Sequence, residues 1–209
     1  MTVTFADGVY YLPETIRLTP EDSGSAQNPV TYAAEHEGGA ILSGGLAVKL
    51  SWQPWRDGIY KAVLAPNDAK AVEGAGIDQL YIDGKRQRMA RYPNAVEGKL
   101  IFDAWQGDKA IAEPAEDALS KERIARWANP AGGYLHAMHP ALWGDVHWLI
   151  TGKKADGSLA LEGGWQNNRG SAMHKTYRFV ENILEELDAP GEWSYQASEH
   201  SIYYMPRLL

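Results

Sequence analysis

The chain has 209 residues, and its 20 Lys and Arg against 27 Asp and Glu give a net charge of −7. That acidic balance argues against a nucleic-acid-binding domain, which carries a basic patch or stripe, and no run of about 18 apolar residues is present to span a membrane. The absence of cysteine removes disulfides, thiolate zinc sites and cysteine nucleophiles together.

The remaining composition points to β-structure. Eight Trp and eleven Tyr stand against three Phe, so most of the aromatic surface carries a polar handle. Twenty-one Gly and eleven Pro are scattered throughout, as expected of short strands joined by tight turns. Met1–Phe5 has neither a basic nor an apolar signal-like segment, so no secretory signal is expected within the chain. A start inside a strand, and an end two residues after an X-Pro-Arg turn, are what a trimmed piece of a longer protein would show.

In chain order, Val3-Thr4-Phe5 and Val9-Tyr10-Tyr11-Leu12 flank an Asp7-Gly8 turn signal. Thr15–Thr19, Val30–Ala34 and Ala40–Gly45 read as further strands. The spacing from Val9 to Val30 and from Ile16 to Ile41 is on the scale of one solenoid coil, roughly 20–30 residues. Two such coils are too few to bury a core, since about three repeats are needed. Residues 1–48 are therefore expected to be either a small β-sheet of another kind or, as the preferred reading, the incomplete first coils of a longer β-solenoid.

From Lys49 the pattern changes. Gln79–Ile82 is a strand closed by Asp83-Gly84, and Arg86, Arg88 and Arg91 follow at near-alternate spacing. Pro114–Trp127 predicts a helix with Leu119, Ile124 and Trp127 on one face. Tyr134–Met138 and Val146–Thr151 read as strands, the second turning at Asp156-Gly157 into Leu159–Leu161. Tyr177–Leu187 predicts a second helix striped by Phe179, Ile183, Leu184 and Leu187. Trp193–Tyr195 and Ile202–Tyr204 form a last hairpin. Residues 49–209 are thus expected to be strands with two short helices, within a mostly β chain.

Two clusters carry candidate chemistry. His136, His139, Asp145 and His147 lie within a dozen residues, flanked by Trp143 and Trp148. A metal reading is weakened because the His136/His139 pair runs into Pro140 on no helix, so no metal and no cofactor is expected. A sugar-facing surface fits better: flat indoles cover apolar sugar faces while Asp and His bond hydroxyls. The competing reading makes Trp143 and Trp148 core aromatics. The second cluster, Trp165 with Asn167, Asn168 and Arg169, offers amides and a guanidinium beside an indole. It reads equally well as a loop whose Asn side chains satisfy the backbone. Trp143, Asp145, His147, Trp165, Asn167 and Asn168 are the candidate substrate-binding residues. Glu181, Glu185, Glu186, Asp188 and Glu192 could supply a glycosidase carboxylate pair, but read more simply as the solvated face of the last helix. The arginines 86, 88 and 91 read as ion-pair partners rather than as an anion site. No nucleophile elbow, P-loop or dinucleotide fingerprint occurs.

Several segments together resemble a known group. Asp7–Leu12, Leu18–Gly24, Pro29–Tyr32 and Ser43–Gly45 are similar to the first coils of right-handed parallel β-helix carbohydrate-active enzymes. Gln79–Arg86 and Ala90–Asn94 resemble the start of their inserted domain, and the resemblance implies that residues 49–209 are a β-sandwich-like insertion domain ending in a hairpin that leads back to a right-handed parallel β-helix begun by residues 1–48. Trp143-Gly144, His147, Thr151–Lys153, Glu162–Arg169, Arg178–Trp193 and Ile202–Pro206 resemble the glycoside hydrolase family 141-like group and, more distantly, family 120. The resemblance implies a secreted or periplasmic polysaccharide-degrading protein of xylanase, xylosidase or fucosidase type. It implies a polysaccharide or oligosaccharide partner, with the remainder of the β-helix following Leu209. The catalytic carboxylates are then expected on those later coils, and no catalytic residue is assigned in this chain. A non-catalytic carbohydrate-binding module, a purely structural insertion, and a β-helix polysaccharide lyase remain as alternatives, although no Asp-rich calcium loop favours the last.

Overall fold

The computed structural model describes residues 1–74, 76–95 and 116–207. It is mostly β, and the chain divides into two compact units, Met1–Lys49 and Leu50–Leu209.

The first unit contains β1 (Thr2–Phe5), β2 (Gly8–Tyr11), β3 (Thr31–Ala34) and β4 (Ala40–Ser43). β1 pairs with β3 and β2 with β4, both in parallel. Thr2 lies opposite Thr31 and Gly8 opposite Ala40, so each strand repeats after 29 or 32 residues. This corrects the spacing expected from the sequence: Val9 pairs with Ile41 rather than aligning with Val30. Thr15–Thr19 is not a strand. Pro20–Asp22 forms a single 3₁₀ turn, and Thr19 caps it by donating its N–H to Asp22 Oδ2 at 2.7 Å. The segment takes its hydrogen bonds locally instead of from a neighbouring strand. No residue of this unit is buried, and Val9, Tyr11, Ile16, Leu18, Ile41 and Leu42 are all exposed.

The second unit contains β5 (Gln53–Arg56), β6 (Ile59–Val63), α1 (Pro66–Ala71), β7 (Leu80–Ile82), β8 (Lys85–Met89), β9 (Arg91–Tyr92) and α2 (Lys121–Arg126). Then follow β10 (Tyr134–Met138), β11 (Asp145–Lys153), β12 (Leu159–Gly163), β13 (Trp165–Gln166), β14 (Arg169–Gly170), β15 (Arg178–Glu181), β16 (Glu192–Gln196) and β17 (Ser201–Tyr204). One sheet has the order β12-β11-β10-β15-β9 and another β5-β6-β17-β16-β8-β7, while β13 and β14 form a small separate ribbon. The run Lys85–Tyr92 serves both large sheets: β8 pairs with β16 and β9 with β15, with Ala90 between them.

Strand period explains which face of the five-stranded sheet is buried. In β11 the residues alternate, Val146, Trp148 and Ile150 pointing inward and Asp145, His147 and Leu149 outward. The inward set joins Leu135, Ala137 and Val180 in one core, which Ile124 and Trp127 cover from α2 and its C-terminal end. The predicted helical stripe is therefore present, but the helix is a single short stretch capped by Ser120, whose side chain accepts from the Arg123 N–H. The part of the predicted helix from Pro114 to Ala115 lies outside the described residues.

The second predicted helix is a correction. Residues 178–181 are β15, paired on both sides, and only Leu184–Glu186 make one 3₁₀ turn. Asn182 ends the strand at φ 58°, a left-handed conformation that an asparagine tolerates. Its side chain fixes the bend: Nδ2 donates to Gly132 O at 2.9 Å and Tyr195 O at 3.1 Å, and Oδ1 accepts from Ser194 Oγ and the Tyr195 N–H. Phe179, Ile183 and Leu187 are buried as an apolar stripe would require, so periodicity alone could not separate strand-plus-turn from helix. The carboxylates assigned to a solvated helical face are not on one. Glu186 is buried against Arg123 and Trp127, and Glu192 is buried on β16.

Candidate functional site

The outward face of the five-stranded sheet gathers the ionisable residues. His136 on β10 lies directly opposite His147 on β11 and Phe179 on β15, so the three side chains form one row across the sheet. The next row holds Leu149, Tyr134, Glu181 and Arg91. The His136 ring stacks on Phe179 at 4.5 Å, and the Arg91 guanidinium covers the other side of Phe179 at 4.0 Å.

A chain of polar contacts crosses these rows. His147 Nε2 is 3.2 Å from Asp145 Oδ2, the two Nδ1 atoms of His147 and His136 are 2.6 Å apart, and His136 Nε2 is 3.2 Å from Glu181 Oε2. The outer contacts are ion-pair distances rather than aligned hydrogen bonds, and His136 Nε2 is buried without a hydrogen-bonding partner. The His147 side chain is 58% exposed and that of His136 only 18%.

On this face Arg91 is buried, and loss of hydration pulls its guanidinium down to about 10, which leaves it charged at neutral pH. Its Nε donates to Pro93 O at 2.8 Å. Burial and the nearby Asp188 push the Glu192 carboxyl up to about 8. Arg91 is thus a buried packing cation. Arg86 and Arg88 on β8 are exposed.

The six candidate binding residues fall into three places. Asp145 and His147 belong to the polar chain just described. Trp143 projects from the β10–β11 turn, 72% exposed, with its ring stacked on His139 at 4.6 Å. The core alternative for this residue is excluded, whereas Trp148 is a core residue. Trp165, 67% exposed, lies on β13, and Asn167 and Asn168 are the two-residue turn that joins β13 to β14. Asn167 has φ 56°, so its conformational tolerance is used in the turn itself. The ribbon springs from the sheet edge beside His147, because Gly164 N–H donates to His147 O at 2.7 Å. Sequence reasoning missed Tyr134, Phe179 and Arg91 as members of the face; their assembly depends on register across β10, β15 and β9.

The ribbon's base is exacting. A Cβ on Gly164 would lie 1.9 Å from Trp148 Nε1, at a backbone φ of +70°. Gly164→Ala is expected to cost about 2–3 kcal/mol by overpacking and backbone strain. A urea titration checks this, and intrinsic fluorescence should report a displaced Trp148.

No protein-family model and no curated protein matches the sequence. Among solved structures, one described as a glycoside hydrolase aligns with this chain at a TM-score of 0.61 and 16% identity. The alignment covers 99% of this chain and 36% of that one, so the chain spans about a third of the neighbour's length. Its fold is glycoside hydrolase-like. The low identity carries the fold and leaves activity to be argued from the residues. On those grounds the exposed residues offer apolar rings at Trp143 on the β10–β11 turn and Trp165 on the ribbon, and hydrogen-bonding groups at Asp145 and His147 on the outward face and at Asn167 and Asn168 on the ribbon turn. Among the described residues, no three His, Asp or Glu side chains converge as a metal-ligand set, and no helix is long and apolar enough to cross a membrane.

Proposed function

We propose that this chain is part of a carbohydrate-active protein acting on a polysaccharide or oligosaccharide, in which the second unit supplies substrate contacts through Trp143, Asp145, His147, Trp165, Asn167 and Asn168. The observation that carries the reading is the pair of large indoles held out of the core, each beside polar side chains. Exposed indoles beside polar groups offer the apolar face and polar edge that a sugar-binding surface uses.

The parallel register of the first unit supports a solenoid origin. Two rungs with no buried side chain need further rungs to make a core, and strands continuing the β-helix after Leu209 are the proposed partner. The second unit also behaves as an insertion would: its two ends lie close together, with the Trp52 and Tyr204 rings 5.8 Å apart and its second strand, β6, pairing with its last, β17. In this reading the parent protein is a glycoside hydrolase of the family 141-like group, secreted or periplasmic, whose catalytic carboxylates lie outside this chain.

Oligosaccharide binding by Trp143→Ala and Trp165→Ala tests the assignment. An aromatic stacking contact is worth about 0.5–1.5 kcal/mol, so each variant should bind roughly two- to tenfold more weakly. Unchanged affinity in both would remove these residues from the site. Reducing-sugar release from a glycan panel tests the partition of activity. Release by the 209-residue chain alone would overturn it and make Asp145, Glu162 and Glu181 the first carboxylates to substitute.

A further inference from the structure

The β13–β14 ribbon carries two glycines that answer to different demands. Gly164 at its base is fixed by the fold, through a φ of +70° and the 1.9 Å that a Cβ would leave to Trp148 Nε1. Gly170 is not. It lies in β14, its φ falls outside the left-handed region, and a Cβ placed on it meets no atom of the described residues within 4 Å. Neither backbone conformation nor packing asks for a glycine there.

The position is an unfavourable one to leave bare. Gly170 sits directly opposite Trp165 in a ladder of two residue pairs, the other being Gln166 with Arg169. A side chain on Gly170 would form a cross-strand pair with the indole, the unit that stabilises a sheet, and would restrict the unfolded chain. The register through the ladder is regular, so no bulge explains the glycine. Nor does the indole fold over it to compensate, since no atom of Trp165 comes within 4 Å of the missing Cβ. A glycine inside a strand that serves neither a bulge nor a close backbone contact marks a place where a ligand approaches.

The surroundings suit a sugar. Trp165 is exposed, and among the described residues no aromatic ring or cation covers its indole. Strand alternation puts Trp165 and Gly170 on one face of the ribbon and Gln166 and Arg169 on the other. The first face is therefore a shelf, walled by the indole and floored by bare backbone. Asn167 and Asn168 at the turn make no side-chain hydrogen bond among the described residues, which leaves both amides to a ligand's hydroxyls.

We infer that Gly170 is a specificity-determining residue of the glycan surface, its missing side chain keeping open a shelf beside Trp165 for a pyranose ring that lays its C–H face on the indole. The inference rests on the carbohydrate reading of Trp165 and adds to it the residue that makes room for the ring.

Calorimetric titration of the 209-residue chain with xylohexaose, cellohexaose, mannohexaose and a fucosylated oligosaccharide, beside urea unfolding, tests it. Gly170→Ala and Gly170→Val should leave the urea midpoint unchanged or higher, because both residues fit an ordinary strand position better than glycine does. Affinity for the glycan that the wild type takes should fall in a graded way, about twofold with Ala and roughly tenfold with Val, the second matching loss of the Trp165 stack. Affinity unchanged in Gly170→Val but lowered in Trp165→Ala would overturn the role of Gly170 and leave the carbohydrate reading standing. A urea midpoint lowered in both Gly170 variants would also overturn it, because the glycine would then be a requirement of the ribbon itself. Affinity unchanged in Trp165→Ala, or no binding of any of the glycans, would remove the carbohydrate reading of this ribbon and the inference with it.

Discussion

Raising the pH from 4.5 to 8 should destabilise the second unit by roughly 4–5 kcal/mol through one residue, Glu192. Its carboxyl is buried on β16, and loss of hydration, reinforced by Asp188, holds its folded value near 8 against an ordinary 4.5. Between those values the folded state binds a proton that the unfolded state has released. Stability from this group is therefore fully present below about pH 4.5, declines as the pH rises, and is lost above about 8. Each unit of displacement corresponds to about 1.4 kcal/mol. Glu199, held low chiefly by its Lys61 hydrogen bond, works in the opposite sense at more acidic pH. Glu192→Gln keeps the shape and the acceptor for the Ala189 N–H, seen at 3.3 Å, and removes the titration. Urea unfolding at pH 5 and pH 8.5 checks the prediction. The wild type should lose stability between the two, and the variant should lose much less. Parallel pH dependence in both proteins would show that Glu192 is already ionised when folded.

Glu186→Ala should cost about 3–5 kcal/mol, the loss expected when one partner of a buried ion pair is removed. Glu186 Oε2 accepts from Arg123 at 2.6 Å, and Oε1 accepts from Trp127 Nε1 at 2.7 Å. Arg123 also bonds Glu116 at 2.9 Å and lies 3.1 Å over the Tyr92 ring. Truncation therefore takes away the buried one of the two carboxylates that Arg123 bonds, leaving Glu116, and leaves a buried indole N–H unpaired. Glu186→Gln retains an acceptor for the indole and should lose less. Replacing the pair together, as Arg123→Met with Glu186→Leu, should recover part of the stability, because the charge leaves with its partner while the Trp127 indole N–H still lacks its acceptor. Chemical denaturation of the four proteins decides it, and equal losses in Glu186→Ala and the double variant would show that packing rather than charge is at stake.

Much of this architecture was legible in the sequence wherever alternation and turn chemistry acted locally. The strand Tyr134–Met138, the Asp156-Gly157 turn and the last hairpin of Trp193–Tyr195 with Ile202–Tyr204 were expected and are present. Segments whose state is decided by distant partners were not. Residues 178–187 carry a helical-looking stripe, yet pairing with β9 and β10 and the Asn182 bend make them a strand and a turn. Leu12-Pro13 and Thr19-Pro20 left the intervening Thr15–Thr19 without a ladder to join. Helix α1 offered only Pro66 at its first turn and six residues, too little periodicity to read. The site divided in the same way. Trp143 and Trp165 are exposed, and His147 with Asp145 is a local pair. The contacts of His136 with Phe179 and Glu181 needed a register that no single segment encodes.

The strand shared by the two large sheets has a kinetic consequence. Arg88 reaches Glu192 and Tyr92 reaches Val180 through the same short run, and β6 waits for β17 at the other end of the unit. Each of these pairings closes a loop on the order of 100 residues, whose entropy must be lost before the contact repays it. Local hairpins such as β10–β11–β12 can form early, but the five-stranded sheet is complete only when β15 arrives and the six-stranded sheet only when the chain from Glu192 onward does. The second unit is thus expected to fold late and in one step, over milliseconds to seconds as for other domains dominated by non-local pairing.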